Sequence, residues 1–103
     1  MTVAELIEQY LEVLNEKALS FSTTSYGVSK GRKFAKVMSH GTQTFVHAFV
    51  DLQNGDVIKP ATWNAPQKNA DGTLSVRYNL VDDDSRALLF EKVEFSGGYL
   101  YAR

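Results

Sequence analysis

A chain of 103 residues, 44% hydrophobic and 22% charged, has the size and balance of one small globular domain spanning 1–103. Its formal net charge of −1 excludes a generally basic nucleic-acid coat and an acidic mimic of DNA, so any anion site must come from local clustering. Cysteine is absent, which excludes disulfides, thiolate nucleophiles and Cys-based zinc sites.

The opening Thr2-Val3-Ala4-Glu5-Leu6 is acidic and periodic, unlike a signal peptide. No apolar run approaches the roughly 20 residues of a membrane span. The absence of cysteine is compatible with a reducing cytoplasm. Residues 3 to 18 predict an amphipathic helix. Val3, Leu6, Ile7, Tyr10, Leu11, Leu14 and Ala18 form its apolar stripe. Thr2 and Glu5 have the form of a capping box, and Glu5, Glu8, Glu12 and Glu16 face away from the stripe. Leu19 to Gly31 is rich in Ser, Thr and Gly and reads as a loop or a poor edge strand. Arg32 to Ser39 alternates as a strand, with Phe34, Lys36 and Met38 on one side and Ala35, Val37 and Ser39 on the other.

Thr42 to Leu52 is the strongest strand signal. Thr44, Val46, Ala48, Val50 and Leu52 are expected under the helix, with Gln43, Phe45, His47, Phe49 and Asp51 opposite. Asn54-Gly55 predicts a tight turn, so Asp56 to Lys59 returns antiparallel and Pro60 ends that strand. Ala61 to Asp71 reads as a loop, and Thr73 to Tyr78 as a further strand. Asp82-Asp83-Asp84-Ser85 opens a second helix, with a broad apolar face of Ala87, Leu88, Leu89, Phe90 and Val93. Gly97-Gly98 stops it, and Tyr99-Leu100-Tyr101 follows as a strand or a tail pinned by aromatics. The expected fold is α+β: an antiparallel sheet of three to five strands, with an N-terminal and a C-terminal helix packed mainly on one face.

The stretch Lys59-Pro60-Ala61-Thr62-Trp63-Asn64-Ala65-Pro66-Gln67-Lys68 holds the only Trp and both prolines. Lys59, Trp63, Lys68, Arg77 and Tyr78 form the candidate ligand site. Fixed cations would neutralise phosphate while an aromatic plate stacks on a base. A structural loop pinned by a buried Trp fits the same residues. Arg32, Lys33 and Lys36 form a second basic patch, read either as nucleic-acid contact or as charge guarding an exposed edge. His40 and His47 have no metal-ligand spacing, and a packed, hydrogen-bonded His47 is favoured over a catalyst. Asp82 to Asp84 suits helix capping better than a cation site. No acid, base and nucleophile set stands out. No metal, cofactor or catalytic residue is therefore assigned, and the chain is expected not to be an enzyme.

Phe45-Val46-His47-Ala48-Phe49-Val50-Asp51, Gly55-Asp56-Val57-Ile58-Lys59-Pro60-Ala61-Thr62-Trp63, Ala65-Pro66, Lys68, Arg77-Tyr78-Asn79-Leu80 and Gly97-Gly98-Tyr99-Leu100-Tyr101 resemble a family of small bacteriophage-encoded proteins of unestablished function. Relative to that pattern the chain carries extra residues around Asn69 to Val76. The resemblance implies the cytoplasm of an infected bacterial host. It favours a small binder or inhibitor acting on host machinery. The Trp63 loop residues point to an accessory protein that binds a nucleotide or nucleic acid; the alternative is an inhibitor that binds a host protein.

Overall fold

The computed structural model describes residues 2–19, 25–41, 43–93 and 98–100. Helix α1 spans Val3–Ala18. The Thr2 hydroxyl accepts from the Glu5 N–H at 3.2 Å, and the Thr2 N–H donates to Glu5 Oε1 at 2.9 Å. This reciprocal cap satisfies two backbone donors that a helix start leaves free. The apolar stripe buries Leu6, Ile7, Tyr10, Leu11, Leu14 and Ala18.

Five strands form the main sheet: β1 (Ser25–Lys30), β2 (Phe34–His40), β3 (Thr44–Asp51), β4 (Asp56–Ile58) and β7 (Val76–Asn79), in that spatial order. Every pairing is antiparallel. A small hairpin of β5 (Pro60–Thr62) and β6 (Ala65–Pro66) is inserted between β4 and β7. Helix α2 (Asp83–Lys92) and a 3₁₀ turn (Gly98–Leu100) complete the chain. Both helices contribute to one core on one face of the sheet, where Tyr10 of α1 stacks on Phe90 of α2 with ring centroids 6.5 Å apart. The α+β architecture read from the sequence is the one observed.

Two irregularities reset the faces of the sheet. Val37 pairs with Ala48 but Met38 pairs with Val46, so His47 is an extra residue on β3. A bulge of this kind disturbs the strict alternation of side chains. His47 consequently joins Ala48 and Val50 on the helix side, and Val46 shares the opposite face with its partner Met38. This corrects the expectation that Val46 lies under the helix and His47 across from it. A second shift places Val57 against Tyr78 and Ile58 against Val76, with Arg77 as the extra residue.

The stretch expected to be a loop, Ala61 to Asp71, contains the β5–β6 hairpin instead. Pro60 faces Pro66 across it, and Trp63 and Asn64 make its turn. Neither proline is required to donate in this two-stranded ladder. Leu19 to Gly31 resolves in part into the edge strand β1. Residues 20–24, Gly97 and Tyr101 lie outside the described residues. The apolar face of α2 is narrower than expected: Leu89 is buried, whereas Leu88 is exposed. Lys17 of α1 caps its C-terminal end, donating to the carbonyls of Phe90, Glu91 and Val93 at 3.0–3.1 Å.

The Asn54-Gly55 turn joins β3 to β4 as expected, with the positive φ supplied by Gly55 and not by Asn54. Gly55 adopts φ +80°, and a Cβ there would lie 2.9 Å from Val81 Cγ2, so only glycine fits without a shift.

Candidate functional site

The face of the sheet away from the helices is built by register. Lys36 pairs with Phe49 and with Ser29, Phe49 pairs with Ile58, and Phe34 pairs with Asp51. Paired residues project to the same side. Phe49 and Ile58 are buried on this side although they do not belong to the helix-side core, and β5 packs against β3. The hairpin therefore folds across the outer face and covers them.

The tip of that hairpin carries the aromatic plate. Trp63 is 46% exposed, and the Lys36 ammonium lies over its ring, 4.4 Å from the centroid. Lys36 Nζ also donates to Asn64 Oδ1 at 3.4 Å. The residue from the predicted basic patch thus meets the residue from the predicted loop site, and one strand and one hairpin hold a cation beside a wettable ring. A cation over an indole at this exposure is worth about 0.5–1 kcal/mol. That is enough to orient both side chains without sealing them from a ligand.

The rest of the patch lies further along β2. The Lys33 ammonium sits 5.4 Å from the Phe34 ring centroid, and Phe34 packs edge-on to Phe49 at 6.2 Å. Arg32, Lys33, Leu52 and Gln53 line a shallow concavity of about 290 Å³. Lys59 is half-buried at the base of the hairpin, where its N–H donates to the Ser75 carbonyl at 3.3 Å and its carbonyl accepts from Gln67 at 2.8 Å. Lys68 is exposed in a bridge with Leu74. Arg77 is half-buried on β7. Tyr78 is placed differently from the rest of the predicted set. It is buried on the helix side, and its hydroxyl donates to the Tyr99 carbonyl at 3.3 Å. The sheet separates it from Trp63.

Charge is divided by layer. Residues 25–80, which form the sheet and hairpin, carry seven Lys and Arg against three Asp and Glu. Helix α1 carries one against four, and α2 two against three. Asp51, one of the three sheet-segment acids, is buried and accepts from the Gln53 N–H at 2.8 Å. The near-neutral total therefore conceals a net positive sheet-and-hairpin segment and net negative helices.

The sequence reading placed Phe34 on the same side of β2 as Lys36, but it did not include Phe34 or Asn64 among the candidate site residues. Asn64 had a usable signal, since Trp63-Asn64 between two short apolar segments bounded by prolines has the form of a two-residue turn. His47 is packed and hydrogen-bonded as expected, but the sequence did not announce its partners in the polar cluster on the other side. Tyr10 and Tyr99 share a hydrogen bond between their hydroxyls, and His47 Nε2 lies 2.6 Å from the Tyr99 oxygen. Tyr26 meets the His47 ring edge-on at 5.2 Å. Burial pulls the His47 pKa down to about 4 and pushes Tyr10, Tyr26 and Tyr99 up. A neutral imidazole with one protonated nitrogen can satisfy the Tyr10–Tyr99–His47 chain with protons running in either direction.

Among the described residues, no group of three or more His, Cys, Asp or Glu is placed to hold a metal ion, and no helix is long and apolar enough to cross a membrane. No curated protein and no solved structure is significantly similar to the chain. The model of a family of unknown function, DUF7717, matches residues 2–102.

Proposed function

The chain belongs to DUF7717, a family of unknown function, and we propose from its own geometry that it is a non-enzymatic binder of an anionic, ring-bearing ligand, a nucleotide or nucleic acid. The observation that carries this reading is the Lys36 ammonium held 4.4 Å over the half-exposed Trp63 ring. A base stacks on the indole while the adjacent ammonium meets phosphate. Asn64 supplies a donor and an acceptor at the same edge. Lys59, Lys68 and Arg77 add positive potential along the hairpin and β7, and the division of charge by layer steers an anion to this side. The resemblance to small bacteriophage proteins supports a phage accessory role in the cytoplasm of an infected bacterium.

The alternative is an inhibitor that binds a host protein. It is favoured by one observation: among the described residues β1 is the edge strand beside β2, with the Asn15 side chain of α1 holding the Tyr26 N–H and carbonyl, so a partner strand would add along Val28 to Lys30. Thermal unfolding of wild type, Trp63→Ala and Lys36→Glu with and without nucleotides and oligonucleotides separates the two. A ligand at 100 times its Kd stabilises the native state by about 2.7 kcal/mol. The proposal expects that gain in wild type and its loss in both variants. No gain in wild type, together with capture of a host protein that a β1 proline substitution abolishes, would transfer the function to the edge strand.

A further inference from the structure

The outer face repeats its own motif. Lys36 over Trp63 at 4.4 Å and Lys33 over Phe34 at 5.4 Å are two cation–ring pairs near the start of β2, the first with its ring supplied by the hairpin. Phe34 and Lys36 are two residues apart on the same face, about 6.6 Å at the ordinary strand rise. Beyond the second pair, Arg32 and Lys33 line the 290 Å³ concavity with Leu52 and Gln53. Beside β2, the positions of β1 that share this face are Ser25, Gly27 and Ser29, opposite His40, Met38 and Lys36. Their small side chains leave the floor low.

We propose that the partner is an extended single strand of nucleic acid that crosses β2, with neighbouring bases stacked on Trp63 and Phe34 and phosphates met by Lys36, Lys33 and Arg32. This deepens the ligand reading above and rests on it. Charge complementarity selects a polyanion, because the cations are strung along a path rather than gathered in one pocket. A free nucleotide would engage only one of the two pairs. A duplex keeps its base faces stacked inside, where neither ring reaches them, and this shallow face presents no helix to a groove. Stacking accepts every base, so recognition is tolerant of sequence. Three phosphate contacts give a salt slope, log K against log salt, of about −2.

The test uses the full chain, fluorescein-labelled thymidine monophosphate, a fluorescein-labelled octathymidylate and an eight-base-pair duplex. Binding is read by anisotropy at low and moderate salt, and Trp63 emission is recorded with the unlabelled mononucleotide and octamer. The double variant R32A/K33A removes two exposed cations and keeps the fold, which thermal unfolding checks. F34L retains an apolar contact with Phe49 while removing the ring. The octamer should bind wild type roughly tenfold more tightly than the mononucleotide or the duplex, the scale of one additional stacked base. R32A/K33A and F34L should each erase most of that advantage, while mononucleotide quenching of Trp63 persists. Equal affinity for mononucleotide and octamer, equal affinity for the duplex, or undiminished octamer binding in both variants would overturn the path along β2, while quenching of Trp63 would leave the ligand site standing. Absence of quenching by either mononucleotide or octamer in wild type would overturn both.

Discussion

Both faces of the sheet hold aromatic rings with polar partners, and they differ in what water can reach. On the helix side, Tyr10, Tyr99 and His47 are all buried, and each hydroxyl or ring nitrogen in the chain is met by another. On the open side, Trp63 is half-exposed, and its partner is a full charge, Lys36. A buried polar chain is costly to break, because each orphaned group loses a partner it cannot replace with water. An exposed cation–ring pair contributes little to folding, because both groups remain solvated without it. The first arrangement therefore belongs to stability and the second is free to serve recognition. Substitutions on the two faces should divide along the same line.

The largest effect is expected from a charge placed in the helix-side core. Val50 is fully buried between Ala35 and Val57, and Val50→Asp should prevent cooperative folding, since an unpaired buried carboxylate costs several kcal/mol. Circular dichroism with urea titration reads this directly. A soluble variant with an ordinary unfolding transition would mean that the two faces are exchanged. Next comes Tyr99→Phe, which removes the hydroxyl that Tyr10 and His47 share. Two buried polar groups each lose a partner at about 1–3 kcal/mol, so a loss of about 2–6 kcal/mol is expected in the same titration.

The buried cluster should also shape stability against pH. The folded His47 pKa of about 4 lies below its unfolded value, so between the two the unfolded chain binds more protons. Stability from this group is complete above about pH 6.5 and is lost as pH falls toward 4, by an amount on the order of 3 kcal/mol. Tyr10, Tyr26 and Tyr99 act at the other end. Their raised pKa values mean that the folded chain holds more protons, so stability declines as pH climbs above about 10. Urea midpoints from pH 4 to 8 for wild type and His47→Gln test the acid side. The variant should have a flatter profile, and parallel profiles would remove His47 from the explanation.

On the open face the expected effects on stability are smaller. Trp63→Ala should cost about 1 kcal/mol, well short of the roughly 3–5 kcal/mol of a fully buried large aromatic, because nearly half the side chain already meets water. Smallest of all, Lys59→Glu with Lys68→Glu should change stability by about 0.5 kcal/mol or less. Lys36→Glu should affect ligand binding more than that pair does, since Lys36 is the cation seated on the ring. A reversed order in a binding assay would return the site to the flanking lysines.

Helix α1 was legible in full, because its period and its Thr2–Glu5 cap are encoded within a few residues of each other. The Asn54-Gly55 turn and the Asp82 cap were legible for the same reason. The faces of β3 were legible for Ala48, Phe49 and Val50 but not for Val46 and His47, because the displacement of His47 depends on how Val37 and Met38 of another strand pair, which alternation along β3 does not encode. The hairpin was hidden because prolines usually signal a break, and here they face each other in a two-stranded ladder. Lys36 and Trp63 were both picked out, but in separate groups. Their meeting requires the hairpin to fold back over β3, which is a tertiary event. The Tyr10–Tyr99 contact joins positions 89 residues apart, and no local pattern announces it.

Trp63 is the only tryptophan in the chain, so its fluorescence reports the proposed site without interference from other indoles. Titration of the wild-type protein with oligothymidylate at low salt, followed by addition of salt, measures stacking and charge pairing in one experiment. Saturable quenching that salt reverses, and that Lys36→Glu abolishes, is the expected result. Emission that stays constant across the titration, with the protein folded throughout, would contradict the assignment of this face to an anionic, ring-bearing ligand.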